Sequence, residues 1–229
     1  MCTKQGSMKI RISTFFGLSG AILLFLILNQ PIRSSSSQVG TIKPTSLASL
    51  DVTSDLPAVE FVGSMGGVTS AVAVSNTTAY VGEGAALTIL DVSDPLHPVK
   101  QSRLPLPDLV ENVQVVNNLV YVANSYRGLQ IVDVQDPTNP VLLGSYDTPG
   151  VAIEVLVVNE RAYIADGDQG LQIIDVSNPT APQQLGTYEV SGHVRNVQLA
   201  GGLVYLGDPN GGLFILDVGA PTEPVLLSH

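Results

Sequence analysis

Aspartate recurs in this chain with a regularity that invites a chemical reading. The phrases ILDVSDPLHP, IVDVQDPTNP, IIDVSNPTAP and ILDVGAPTEP place Asp91, Asp133, Asp175 and Asp217 at intervals of 42 residues. A ring of carboxylates could hold a metal ion or do acid–base work. Each of these aspartates, however, closes an apolar run two residues before a Pro-containing turn, where a carboxylate accepts hydrogen bonds from turn N–H groups. The turn role is the preferred reading. Asp166 and Asp168, in Asp166-Gly-Asp-Gln-Gly, have the close spacing that suits a hard cation such as calcium. No glutamate follows at the distance an EF-hand needs, and the equivalent segments at Glu83, Asn124 and Asp208 are short Gly-containing loops. A hairpin loop is therefore preferred over a calcium site, and no metal or cofactor is expected.

Nucleophilic catalysis has less to work with. The one cysteine, Cys2, precedes the repeats, and the histidines are His97, His193 and His229. Nothing in the sequence pairs any of them with an oriented serine or an orienting carboxylate, so no triad is expected and a non-catalytic binding or scaffolding protein of the cell envelope is the preferred reading, with a hydrolase-like enzyme using the loop face, or a fragment of a longer surface protein, as the alternatives. GxGxxG and P-loop patterns are absent. Tyr80, Tyr121, Tyr163 and Tyr205, one per repeat, read as packing residues.

The elements that must position these residues follow from the repeat. Within one unit, four short strands are expected at about 112–116, 119–123, 129–134 and 141–146, each rich in Val, Leu, Ile or Tyr. Asn117-Asn118, Asn159-Glu160 and Gly201-Gly202 separate the first two strands by residues that tolerate positive φ, the usual hairpin signal. A Pro-containing turn joins the third strand to the fourth, where proline removes no ladder hydrogen bond. Strands such as LQIVDV are apolar on both sides, so each small sheet must be covered on both faces. Stacking of neighbouring units does this. The expected fold class is all-β, with β-propeller blades of four antiparallel strands, about four of them. A parallel β-helix is the alternative, disfavoured by the regular tight hairpins.

The phrases LQIVDV from Leu129 and LQIIDV from Leu171, preceded by YVAN or YIAD and followed by D/N-P-x-x-P, resemble the LVIVD repeat of bacterial and archaeal surface proteins. The resemblance covers roughly residues 57–229. It implies a propeller-type, cell-surface protein and says little about activity.

Charge and hydropathy divide the chain. Residues 1–32 read as a signal peptide or N-terminal membrane anchor: basic Lys9 and Arg11 precede the apolar run Phe15 to Leu28. Cleaved signal and retained anchor both remain open, as does a start at Met1 or Met8. Residues 33–55, rich in Ser and Thr, read as a flexible linker, and 56–229 as the repeats. Residues 44–229 carry five basic and 20 acidic residues, a net of −15. Such a surface repels phosphate backbones, which argues against nucleic-acid binding.

Residues 56–64 align with the fourth strand of a unit, leaving five candidate outer strands for four inner sets. Either this segment completes the last blade, or the array is incomplete and its open blade faces favour self-association; the incomplete array is preferred. The loops between second and third strands and the links between blades emerge on one side, and they vary most between units. Function is expected on that rim, with Tyr126, Arg127, Asp166, Asp168, His193, Arg195 and Asp208 as ligand-binding candidates. Tyr126 and Arg127 are the expected anchors, with a protein or glycan at the cell surface as the partner.

Overall fold

The computed structural model describes residues 69–229, and within them the chain is all strand and turn. The expected signal or anchor segment, the linker and the extra outer strand at 56–64 lie outside the described residues. Sixteen strands form four sheets of four, each in simple meander order. Blade 1 holds β1 (Thr69–Ser75), β2 (Thr78–Glu83), β3 (Ala86–Asp91) and β4 (Val99–Pro105); blade 2 holds β5 (Asn112–Val116), β6 (Leu119–Ala123), β7 (Leu129–Asp133) and β8 (Val141–Tyr146). Blade 3 holds β9 (Glu154–Val158), β10 (Arg161–Ala165), β11 (Leu171–Asp175) and β12 (Gln183–Tyr188), and blade 4 holds β13 (Asn196–Ala200), β14 (Leu203–Asp208), β15 (Gly212–Asp217) and β16 (Val225–Ser228). The strands expected in the second unit coincide with β5 to β8 almost residue for residue.

Turn chemistry sets the hairpins. Asn159 and Glu160 both take positive φ, as do Gly201 and Gly202, while Asn76 and Asn117 supply one such residue each. Paired positive φ values match the right-handed twist of the strands they join. At the same end of each blade, beside these hairpins, the recurring aspartate accepts a backbone N–H from two residues on: Ser93 for Asp91, Gln135 for Asp133, Ser177 for Asp175 and Gly219 for Asp217, at 2.8–2.9 Å. These carboxylates close the turns.

The third and fourth strands of every blade share one irregularity. Register slips between Ile131 and Val132, leaving Leu143 of the outer strand without a partner. The same slip leaves out Gln101, Leu185 and Leu227 in the other blades. A bulge at one place in each blade bends the outer strand and increases its twist.

The core lies between blades. One apolar cluster joins Tyr80, Leu87 and Ile89 of blade 1 to Val113, Val120, Val122 and Val132 of blade 2. A second joins Tyr121, Leu129 and Ile131 to Val155, Ile164 and Ile174, and a third joins Tyr163, Leu171 and Ile173 to Val197, Leu206 and Leu216. Tyr80, Tyr121 and Tyr163 are thus packing residues. Two-sided burial of the central strands is why their sequences do not alternate. The fourth strand of blade 4 is β16, which pairs with β15.

Candidate functional site

The last residue of the second strand, or the one just after it, has a single job in three of the four blades. In blade 2 Asn124 is buried; its Nδ2 donates to the carbonyls of Asp108 and Leu109, and its Oδ1 accepts from the Asp108 N–H at 3.2 Å. In blade 3 Asp166 accepts from Thr148 Oγ1 at 2.6 Å and from the Gly150 N–H at 2.9 Å. In blade 4 Asp208 accepts from the N–H groups of His193, Asn210 and Gly211 at 2.7–2.9 Å. Each side chain staples the incoming link between blades to the loop after the second strand. Backbone bonds tie the same links to the loop of the preceding blade: Ala152 donates to Ser125, and Val194 to Gly167. The variable loops and links therefore form one edge of the array, tied together residue by residue.

These staples alter two of the residues expected to meet a ligand. Asp166 is fully buried, and both its oxygens are engaged by Thr148 and Gly150. Burial pushes its carboxyl up to about 6, against the lowering effect of those two hydrogen bonds. Its carboxylate is thus turned away from Asp168, which is exposed and pairs elsewhere. Among the described residues no cluster of three His, Cys, Asp or Glu is placed to hold a metal ion. Asp208 behaves oppositely, its three backbone donors, Asn210 first, holding it below the usual carboxylate range.

The expectation that no carboxylate orients a histidine does not hold. His193 Nδ1 lies 2.7 Å from Asp168 Oδ1, a contact between residues 25 apart in sequence, made because the link before β13 crosses over the loop after β10. His97 Nδ1 likewise lies 2.8 Å from Asp94 Oδ2, within an exposed turn. Asp168, Ser191, Gly192, His193, Asp208, Asn210 and Gly211 line an open concavity of about 340 Å³ on the rim. A Cβ at Gly192 would overlap Asp208 Oδ2, so a side chain there would push the carboxylate off its present position. The loop segments were legible as variable; the joint role of Ser191, Asn210 and Gly211 as lining was not.

The remaining candidates stand apart from this concavity. Tyr126 is 70% exposed at the tip of the loop between β6 and β7. Beside it Arg127 reaches Asp147 at 4.0 Å, a loose pair between exposed groups. Arg195 is exposed, with its N–H bonded to the Gly207 carbonyl. The seven residues thus divide into one concavity (Asp168, His193, Asp208), one exposed aromatic–cation pair (Tyr126, Arg127), a buried staple (Asp166) and an exposed residue just before β13 (Arg195).

Stacked four-stranded meanders with their variable loops gathered on one polar rim define a β-propeller-type repeat protein. The LVIVD repeat matches residues 66–104, 109–148, 149–190 and 191–229, one copy per blade. The chain belongs to the LVIVD repeat family. No curated protein matches it. Among solved structures it is similar to the computationally designed Ika4 protein, at 14% identity and a TM-score of 0.56, over 68% of this chain and 94% of that one. It is similar also to the computationally designed Ika8 protein, at 14% identity and a TM-score of 0.57, over 70% of this chain and 48% of that one. At that identity the likeness concerns the fold alone.

Proposed function

We propose that this protein is a non-catalytic binding or scaffolding module of the cell envelope, held outside the cytoplasm by its basic-then-apolar N-terminus, with a protein or glycan as ligand. The observation that carries this reading is the rim concavity, where Asp168, His193 and Asp208 converge on loops that vary while the blades beneath them repeat. A rigid scaffold with one variable edge is where binding residues concentrate. The exposed Tyr126 and Arg127 extend the rim with the residue types that dominate interfaces.

A hydrolase is the second reading, favoured by the hydrogen bond between His193 and Asp168, which has the form of a base held by an orienting carboxylate. The experiment is a protein and glycan array probed with the full chain, repeated with D168A/H193A and with Y126A/R127A. Capture lost in the first variant, at an unchanged melting temperature, assigns the ligand to the concavity; capture lost in the second assigns it to the aromatic–cation pair. Binding indifferent to both contradicts a rim site. Turnover of a captured compound that disappears in H193A supports the hydrolase instead.

A further inference from the structure

Three successive blade interfaces follow one template, and among the described residues its two halves are exposed on the upstream face of blade 1 and the downstream face of blade 4. The upstream face of each blade offers a valine from its first strand. Val113, Val155 and Val197 are 6%, 3% and 0% exposed against the preceding blade, whereas Val72, at the same register in blade 1, is 63% exposed. The downstream face offers a leucine from the third strand. Leu87, Leu129 and Leu171 are 0% exposed, and their counterpart Leu213 in blade 4 is 51% exposed.

Two polar contacts, each made at one of these interfaces, point the same way. Gln114 of blade 2 brackets the backbone of Val157 in blade 3, accepting from its N–H and donating to its carbonyl. Ser102 of blade 1 donates from Oγ to the Pro137 carbonyl of blade 2 at 2.6 Å. Gly144 and Gly186 take the place of that serine against the turns at Pro179 and Pro221. Blade 4 carries the same two groups: Gln198 stands at the register of Gln114, and Ser228 at that of Ser102, both exposed. Their counterparts across the interface would be the backbone of Val74 and the carbonyl of Pro95, and both of these residues are exposed on blade 1. The downstream face of blade 4 and the upstream face of blade 1 thus display complementary half-interfaces, and among the described residues both are exposed.

We propose that the chain associates head to tail with a second copy of itself, the downstream face of blade 4 (Gln198, Leu213, Ser228) seating on the upstream face of blade 1 (Val72, Val74, Pro95). Such a contact is heterologous. It makes a ring when the rotation closes and a filament when it does not. This assembly is independent of any ligand on the rim.

The test uses the full chain in a mild detergent, with mass measured by light scattering for wild type, V72D and L213D. Wild type should form a closed pair or a concentration-dependent ladder. V72D lacks a usable head and L213D a usable tail, so each alone should be monomeric, with circular dichroism and melting temperature close to wild type because both sites are exposed in the single chain. An equimolar mixture should recover association that stops at two chains, since only one head and one tail remain. Monomeric wild type, or L213D that still self-associates, overturns the proposal. The Q198A variant provides a milder check, and dissociation several-fold easier than for wild type is the expected result.

Discussion

At the residue scale, Asp166 is the most informative side chain. The staple differs in kind between blades: an amide at Asn124, carboxylates at Asp166 and Asp208. The buried Asp166 keeps its proton up to about pH 6, while an unfolded chain releases it near the ordinary value of 3.8. A folded-state value above the unfolded one gives a contribution that is full below the unfolded value and lost as pH rises through about 6. The carboxyls of Asp91, Asp94, Asp136, Asp175 and Asp208 are lowered, and their contributions run the other way, fading as pH falls. The Asp166 contribution is isolated by comparison with D166N. Asparagine can accept from the Gly150 N–H and donate to the Thr148 hydroxyl, so the staple survives without the ionisation. The expected outcome is that D166N gains on wild type by about 2 kcal/mol between pH 4 and pH 7. Urea unfolding at several pH values measures it, and a difference that does not change with pH contradicts the assignment.

At the scale of the element, the bulge in each outer strand exposes a mismatch. Leu143, Leu185 and Leu227 occupy the unpaired position in three blades, and Gln101 occupies it in the first. Among the described residues Gln101 Oε1 is buried without a hydrogen-bond partner. A buried acceptor left unpaired costs about 1–3 kcal/mol, and a leucine there, the residue that the other three blades carry, removes that cost. Q101L should therefore raise the unfolding free energy by about 1 kcal/mol, read from the denaturant midpoint at constant slope. A loss of stability would show that the amide has a partner of its own. Repetition of the bulge was not readable from the sequence, because a skipped residue leaves no mark in the spacing when every unit skips the same one.

For the whole molecule, charge and order along the chain carry the functional reading. The five basic residues before position 44 flank or follow one apolar run, and the acidic repeats come after it. Basic residues on the N-terminal side of an apolar segment tend to stay in the cytoplasm, which sends the downstream chain across the membrane. Alkaline phosphatase fused after His229 should accordingly be active in intact cells, and a fusion retained in the cytoplasm contradicts an envelope location.

The sequence by itself determined the blade. A strict 42-residue period, turn residues suited to positive φ and central strands apolar on both sides leave one economical solution, four short antiparallel strands stacked between neighbours. It also determined which loops vary, and so where to look for function. Only the tertiary structure decided which rim residues are available. Asp166 and Asp168 stand two apart in a loop and look alike in sequence, yet one faces inward to a threonine hydroxyl and a backbone N–H while the other meets His193 from a different blade. The partner of each is set by the link that folds over it, 18 residues away for Asp166 and 25 for Asp168, and no local pattern records that crossing. The same holds for the array ends. Val72 and Leu213 read like every other core valine and leucine of the repeat, yet they are exposed while their counterparts are buried between blades.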